Sequence, residues 1–169
     1  MFPIWYVLRC EEGDEQIAAE LLRRKYSGEV EIFLITFEKM KRYEGGWHCQ
    51  EETLFCGCVF AETDSREQLE NAARLAAVFL SLRSGGYSRR LMETECAFLK
   101  DISGESHRIV MSKGYIREGT TFVTEGPLCG KECKIQKIDR HKRLARIDSP
   151  LKYYKSRGLW MGLEIMEKS

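Results

Sequence analysis

Seven cationic side chains, Lys131, Lys134, Lys137, Arg140, Lys142, Arg143 and Arg146, crowd with His141 into the stretch VTEGPLCGKECKIQKIDRHKRLARI, Val123 to Ile147. Ile135, Ile138 and Ile147 are its candidate core positions. The cations are too many to bury and must decorate a surface. DRHKR, Asp139 to Arg143, lies between two strand-like runs and reads as a hairpin tip. Such a tip does no covalent chemistry. It offers donors to phosphates, and Arg can also fork onto a guanine edge or stack on an unpaired base. Six phosphate contacts would give a log–log salt slope of about −4 to −5. The competing reading is a solubilising loop. A weaker basic tail, KYYKSRG, follows. Its Tyr153 and Tyr154 serve either as stacking rings or as core.

The charge distribution separates this region from the rest. Met1 to Phe122 holds 16 Lys+Arg against 20 Asp+Glu, a net of −4, while Val123 to Ser169 holds 11 against 6, a net of +5. Positive charge concentrated in the smaller part points to a polyanionic partner or to a solvated basic face. A second constellation is apolar: Trp5, Tyr6, Phe55 and Phe60 flank Gly57. One strand face must pack on helices. If the other keeps its aromatics, it forms an exposed patch and a partner site, and otherwise all four are core.

The seven cysteines are Cys10, Cys49, Cys56, Cys58, Cys96, Cys129 and Cys133. An odd count, and a start, MFPIWYVLRC, without a basic segment leading into an apolar one, predict reduced cytosolic thiols and no secretory signal. CGKEC, 129 to 133, has usable zinc spacing but no second ligand pair, and CGC, 56 to 58, is too tight. No phosphate loop or dinucleotide fingerprint occurs. Neither an enzyme nor a cofactor is expected. No apolar run approaches the ~20 residues that span a bilayer, so no membrane partner is expected.

The elements that must position these residues follow from periodicity. IWYVLRC reads as a strand. Asp14 is the expected cap of a helix to about Tyr26, with Ile17, Leu21 and Leu22 buried and Ser27-Gly28 ending it. VEIFLITFEKMKRY is strand-like, EGGW is a turn, and ETLFCGCVFAE is a strand with Gly57 inside it, at a bulge or a close backbone approach. Ser65 and Gln68 form a capping box for a helix through Leu69, Ala72, Ala73, Ala76, Phe79 and Leu80, stopped at Ser84-Gly85-Gly86. A shorter helix covers Glu93 to Ile102. This order predicts an α+β domain over residues 1–103, an antiparallel sheet flanked by helices. DISGESH opens a linker over 104–113. Residues 114–169 are expected to form a small all-β barrel from EGTTFVTEGPL, CKIQKID, RLARID, LKYYK and LWMGLEIM.

These motifs resemble the NusG family. IWYVLRC and its helix resemble the opening of the family's N-terminal (NGN) domain. LFCGCVF resembles its Phe-Pro-Gly-Tyr-Val-Phe strand, and VTEGPLCGKECKIQKIDRHKRLARI resembles its KOW motif, an SH3-like barrel. KIDRHKRLARI, MSKGYI and GLEIM resemble the LoaP branch in particular. The resemblance implies a cytoplasmic, bacterial, non-enzymatic elongation factor, monomeric, that acts as a processive antiterminator. Its NGN domain would dock on the clamp helices of RNA polymerase through Trp5, Tyr6, Phe55 and Cys58. Its KOW domain would hold an RNA hairpin of the leader transcript through Lys131, Lys134, Lys137, Arg140, His141, Lys142, Arg143 and Arg146. Non-template DNA of the transcription bubble would be a further contact. The alternative is a general factor whose KOW domain binds ribosomal protein or Rho. The chain departs from the pattern at Cys56, where the family has Pro, at Cys58, where it has Tyr, and at Cys133, where KOW motifs commonly have Gly.

Overall fold

The computed structural model describes residues 4–76, 88–151 and 158–169. The chain divides into two compact units, Met1–Ile35 with Phe55–Cys96, and Thr36–Leu54 with Ala97–Ser169.

The first unit is built on a four-stranded sheet of order β2-β5-β1-β6, with β1 at Trp5–Arg9, β2 at Glu31–Phe33, β5 at Cys58–Glu62 and β6 at Ser88–Arg90. Alternation along β1 sends Tyr6 and Leu8 to one face, where they join Ile32, Val59 and Ala61 in a core with helices α1 (Glu15–Lys25) and α2 (Arg66–Ala76). The helices meet this core largely through small residues, Ala18 and Ala19 on α1 and Ala72, Ala73 and Ala76 on α2. The buried stripe of α1 therefore runs through Ala18, Ala19 and Leu22, and Ile17, expected inside, is 52% exposed. Asp14 precedes α1 but makes no side-chain capping bond. The neighbouring Glu15 instead ties the segment before the helix to the turn at Gly57. Its carboxylate accepts the N–H of Gly13 at 2.9 Å and the N–H of Gly57 at 2.8 Å.

Gly57 lies in the turn before β5 rather than inside a strand, with φ +73°. Its carbonyl accepts the Cys10 N–H at 2.9 Å, and an added Cβ would sit 2.9 Å from the Cys10 carbonyl oxygen. The close backbone approach is real and the strand-interior placement is not. At α2, Ser65 Oγ accepts the Gln68 N–H at 3.2 Å, while the Ser65 N–H goes to Thr63 Oγ1 at 3.1 Å. Half of the expected capping box thus forms, and Thr63 takes the other donor. Phe79, Leu80 and Ser84-Gly85-Gly86 lie outside the described residues. Among the described residues no helix is long and apolar enough to cross a membrane.

The second unit begins with a hairpin, β3 (Thr36–Tyr43) and β4 (Gly46–Thr53), so the run VEIFLITFEKMKRY is split into β2 and β3 at Leu34-Ile35. Glu44 and Gly45 both take positive φ, 51° and 76°, the geometry of the two-residue turn that matches strand twist. Strand β7 (Arg108–Ile109) pairs parallel with β3. Helix α3 (Glu93–Ser103) starts in the first unit and ends in the second.

Five further strands form a sheet of order β10-β11-β12-β8-β9: β8 Ser112–Arg117, β9 Thr120–Glu125, β10 Ile135–Asp139, β11 Leu144–Ile147 and β12 Leu159–Lys168. Strand β8 joins the sheet beyond the runs expected for it, and LKYYK falls largely on residues 152–157, outside the described residues. Residues 104–113 therefore carry β7 and the start of β8. Glu38 of β3 anchors them, binding Arg108 Nη2 at 2.7 Å and the Met111 N–H at 2.8 Å.

Among the described residues the two edge strands, β9 and β10, do not pair with each other, so the hydrogen bonding describes an open, half-barrel sheet instead of a closed one. Part of the reason is local. The Val123 N–H of edge strand β9 is already taken by the Glu132 carboxylate at 3.0 Å. Glu132 sits on a 3-10 turn, Glu132–Lys134, just before β10. Chiefly through this backbone donor, the Glu132 carboxyl is held below its usual pKa.

Candidate nucleic-acid interface

Strands β10 and β11 pair antiparallel from Asp139↔Leu144 to Ile135↔Ile147, with an irregularity between Ile135 and Lys137. Arg140 to Arg143 is thus a four-residue tip, as DRHKR predicts. Asp139 shapes it. Its Oδ1 accepts the Lys142 N–H at 3.0 Å, the local bond that makes Asp favourable at the start of a turn. Arg143 closes the tip at φ 55°, a left-handed conformation uncommon for a non-glycine residue.

The eight expected contact residues fall into three groups. Lys134, Lys137, Arg140, His141 and Lys142 are exposed. Of these, Lys137, Arg140, His141 and Lys142 make no ion pair with any described acid, and Lys134 stands 5.6 Å from the centre of the Phe98 ring. An open depression of about 560 Å³ lies against Lys137, Ile138, Asp139, Arg140 and His141.

Arg146 is half-buried and lies opposite Lys137 on β10 and Trp160 on β12, with its guanidinium 5.9 Å from the Trp160 ring centre. Its Nε is buried without a hydrogen-bond partner.

Arg143 and Lys131 are engaged inside the protein. Arg143 pairs with Glu164 at 3.0 Å and lies 4.1 Å over the ring of Trp47. Lys131 pairs with Asp101 at 3.0 Å and donates to the Pro127 carbonyl at 3.1 Å. The outward positive face is therefore narrower than its composition suggests. Trp47, Trp160 and Glu164 are the residues that sequence reasoning missed. The one sequence signal was the tryptophan that ends the EGGW turn.

The aromatic constellation is arranged differently from an exposed patch. Trp5, Tyr6, Phe55 and Cys58 are all buried, at 2%, 4%, 2% and 3% exposure. Tyr6 belongs to the helix-facing core. Trp5, Cys58 and Phe60 share the other face, because the register sets Trp5 opposite Glu62, Val7 opposite Phe60 and Arg9 opposite Cys58. There Trp5 meets Phe33 edge-on at 4.8 Å and donates its indole N–H to Glu62 at 2.6 Å. Phe60 stacks on Phe33 at 5.8 Å and receives Phe55 edge-on at 5.6 Å.

Two buried thiols, Cys10 and Cys58, are shifted away from reactivity. Burial pushes the Cys10 thiol up to about 11, with the Glu15 charge adding to it. Burial also raises Cys58, against the opposing pull of Arg9, whose Nη1 lies 3.4 Å from its sulfur. A nucleophilic cysteine needs the reverse shift. Among the described residues no three His, Cys, Asp or Glu side chains cluster as a metal site.

No curated protein matches the chain. The family model described as "Transcription termination factor nusG" matches residues 3–97, which takes in the whole first sheet, both its helices and the β3–β4 hairpin. With more than half of its length under that match, and with an α+β sheet flanked by helices beneath it, the chain belongs to the NusG family of transcription factors.

Proposed function

We propose that this protein is a cytoplasmic elongation factor of the LoaP type, a monomeric processive antiterminator that holds RNA polymerase through its NGN region and a structured leader RNA through its KOW region. The observation that carries the RNA half is the tip of the β10–β11 hairpin. Lys137, Arg140, His141 and Lys142 project there without acidic partners among the described residues, beside an open depression. Unpaired, solvated cations on a projecting turn can replace the counterions of a phosphate backbone. Paired ones, such as Arg143 and Lys131, cannot do so without first breaking their own bonds.

Polymerase docking is assigned to the sheet face of Trp5, Phe55 and Cys58, where the family motif falls. These side chains are buried, so they act as the floor that shapes that surface. Tyr6 faces the helices and supports it from behind. Non-template DNA is a further contact of the docked state. The domain scheme proposed is an NGN region over 1–103, a connection over 104–113 and a KOW region over 114–169.

A filter-binding titration with candidate leader hairpins tests the RNA half. Arg140→Ala with Lys142→Ala should weaken binding and flatten the log–log salt slope by about 1.4 to 1.8, two phosphate contacts' worth, with an unchanged thermal transition. Arg143 is left intact, because its Glu164 and Trp47 contacts make its loss a structural change. Unaltered affinity would remove the tip from the RNA surface.

One observation favours the second reading, a protein-binding KOW region. Tyr115 and Phe122, opposite each other on β8 and β9, stack at 5.1 Å with Phe122 41% exposed. An outward aromatic pair suits a ribosomal protein or Rho, and binding of either in preference to RNA would establish that reading.

A further inference from the structure

The hairpin β3–β4 ends beside the basic tip, inside the second unit. Trp47 is the first residue after the Gly46 that closes its turn, and Arg143, the last residue of the other tip, lies 4.1 Å over the Trp47 ring. Arg42 sits directly opposite Trp47 in the β3–β4 register and so projects from the same hairpin face. Lys41, paired with His48 and two residues from Tyr43, projects from the opposite face. Arg42 and Lys41 are exposed, and neither makes an ion pair with a described acid.

Charge is polarised along this hairpin. At its base, Glu38 and Glu51 are bound by Arg108 at 2.7 and 3.2 Å, and Glu52 by Lys39 at 3.8 Å. At its end, Lys41 and Arg42 stand against Glu44 alone. The same end carries rings. Tyr43, 40% exposed, stacks on His48 at 3.9 Å.

We propose that the β3–β4 tip is a second RNA-binding finger, joined through Trp47–Arg143 to the basic β10–β11 tip, so that the two grip one structured RNA. The RNA wraps the hairpin end: Arg42 contacts phosphate on the Trp47 face, and on the other face Lys41 contacts phosphate while the Tyr43–His48 stack offers a ring to an unpaired base at a loop or bulge. The rings select RNA over an acidic peptide, which would satisfy the cations and leave the ring face unused. Arg143 becomes a positioning residue. Its ion pair with Glu164 and its place over Trp47 set the spacing of the two fingers.

The inference rests on the RNA reading above, and the test separates the two. The full-length chain is titrated with an RNA stem-loop carrying a randomised loop, at several salt concentrations, alongside Lys41→Ala with Arg42→Ala and, separately, Arg140→Ala with Lys142→Ala. Both double variants should weaken binding, and each should flatten the salt slope by about 1.4 to 1.8. Tyr43→Ala should lower affinity for the stem-loop while leaving the slope unchanged, since no charge is lost. Ultraviolet crosslinking should place RNA on the segment 41–48.

If only the Arg140/Lys142 variant weakens, the second finger is overturned and the single-tip reading stands. If wild type does not bind RNA, both fall. Displacement of the RNA by polyglutamate at equal charge concentration would also overturn the proposal, because it would make the surface a generic anion site.

Discussion

Which cations remain free was decided residue by residue. Arg143 and Arg140 are three positions apart on one tip, yet one is held by Glu164 and Trp47 and the other points away from the protein. Arg143 closes the tip in a left-handed conformation with its side chain on Glu164 of β12 and Trp47 of β4, and composition carries no trace of this. Cys10 shows the same dependence on surroundings. With its pKa raised to about 11 from an ordinary 9.0, the folded state keeps its proton where the unfolded chain has lost it. Its contribution to stability is therefore complete below about pH 9 and declines as pH rises toward about 11. Chemical denaturation across that window should show stability falling with pH. The fall should be smaller in Cys10→Ala, and wild-type Cys10 should resist alkylation near neutral pH until the protein unfolds.

At the scale of elements, Glu15 and Gly57 hold the start of α1 to the start of β5. A buried carboxylate accepts the backbone N–H of Gly13 and that of Gly57, while Asp14 makes no side-chain capping bond. Glu15→Ala should cost about 2–4 kcal/mol, since it removes a charged acceptor and strands the Gly57 donor. Glu15→Gln, which keeps one acceptor oxygen, should cost less. Gly57→Ala should also destabilise by more than about 1 kcal/mol, as φ is positive and the new methyl would press on the Cys10 carbonyl. Urea titration of the three variants checks the order. The same local logic bears on the β9 edge, where, among the described residues, the Glu132 carboxylate occupies the Val123 donor that a pairing strand would use.

At the scale of the whole molecule, the proposed mechanism is tethering. A factor that holds polymerase and transcript at once raises the effective concentration of each site for the other, so it stays bound through elongation without any covalent step. The two functions should then separate. The Arg140/Lys142 variant should co-purify with polymerase as wild type does while losing leader RNA. Phe55→Ala is the harder variant to read. Its ring is buried against Phe60, so truncation should lower stability by about 3–5 kcal/mol. Loss of polymerase by that variant counts for docking only if its melting transition shows a folded population at the assay temperature.

Periodicity and turn chemistry make much of the architecture legible in the sequence. The β1 strand, α1 to within a residue or two, the EGGW hairpin, α3 and the DRHKR tip are all local, written in alternation, helical spacing and Gly placement. The charge split likewise marked the basic tip. What the sequence could not carry was contact between residues distant along the chain. Trp47 beneath Arg143, Glu38 anchoring the 104–113 segment and the place of β8 beside β12 depend on strand order and register. So does the burial of Trp5 and Phe55, whose exposure is settled by what lies on the far face of a sheet. Alternation tells that a strand has two sides, and only the assembled tertiary structure decides which of them meets water.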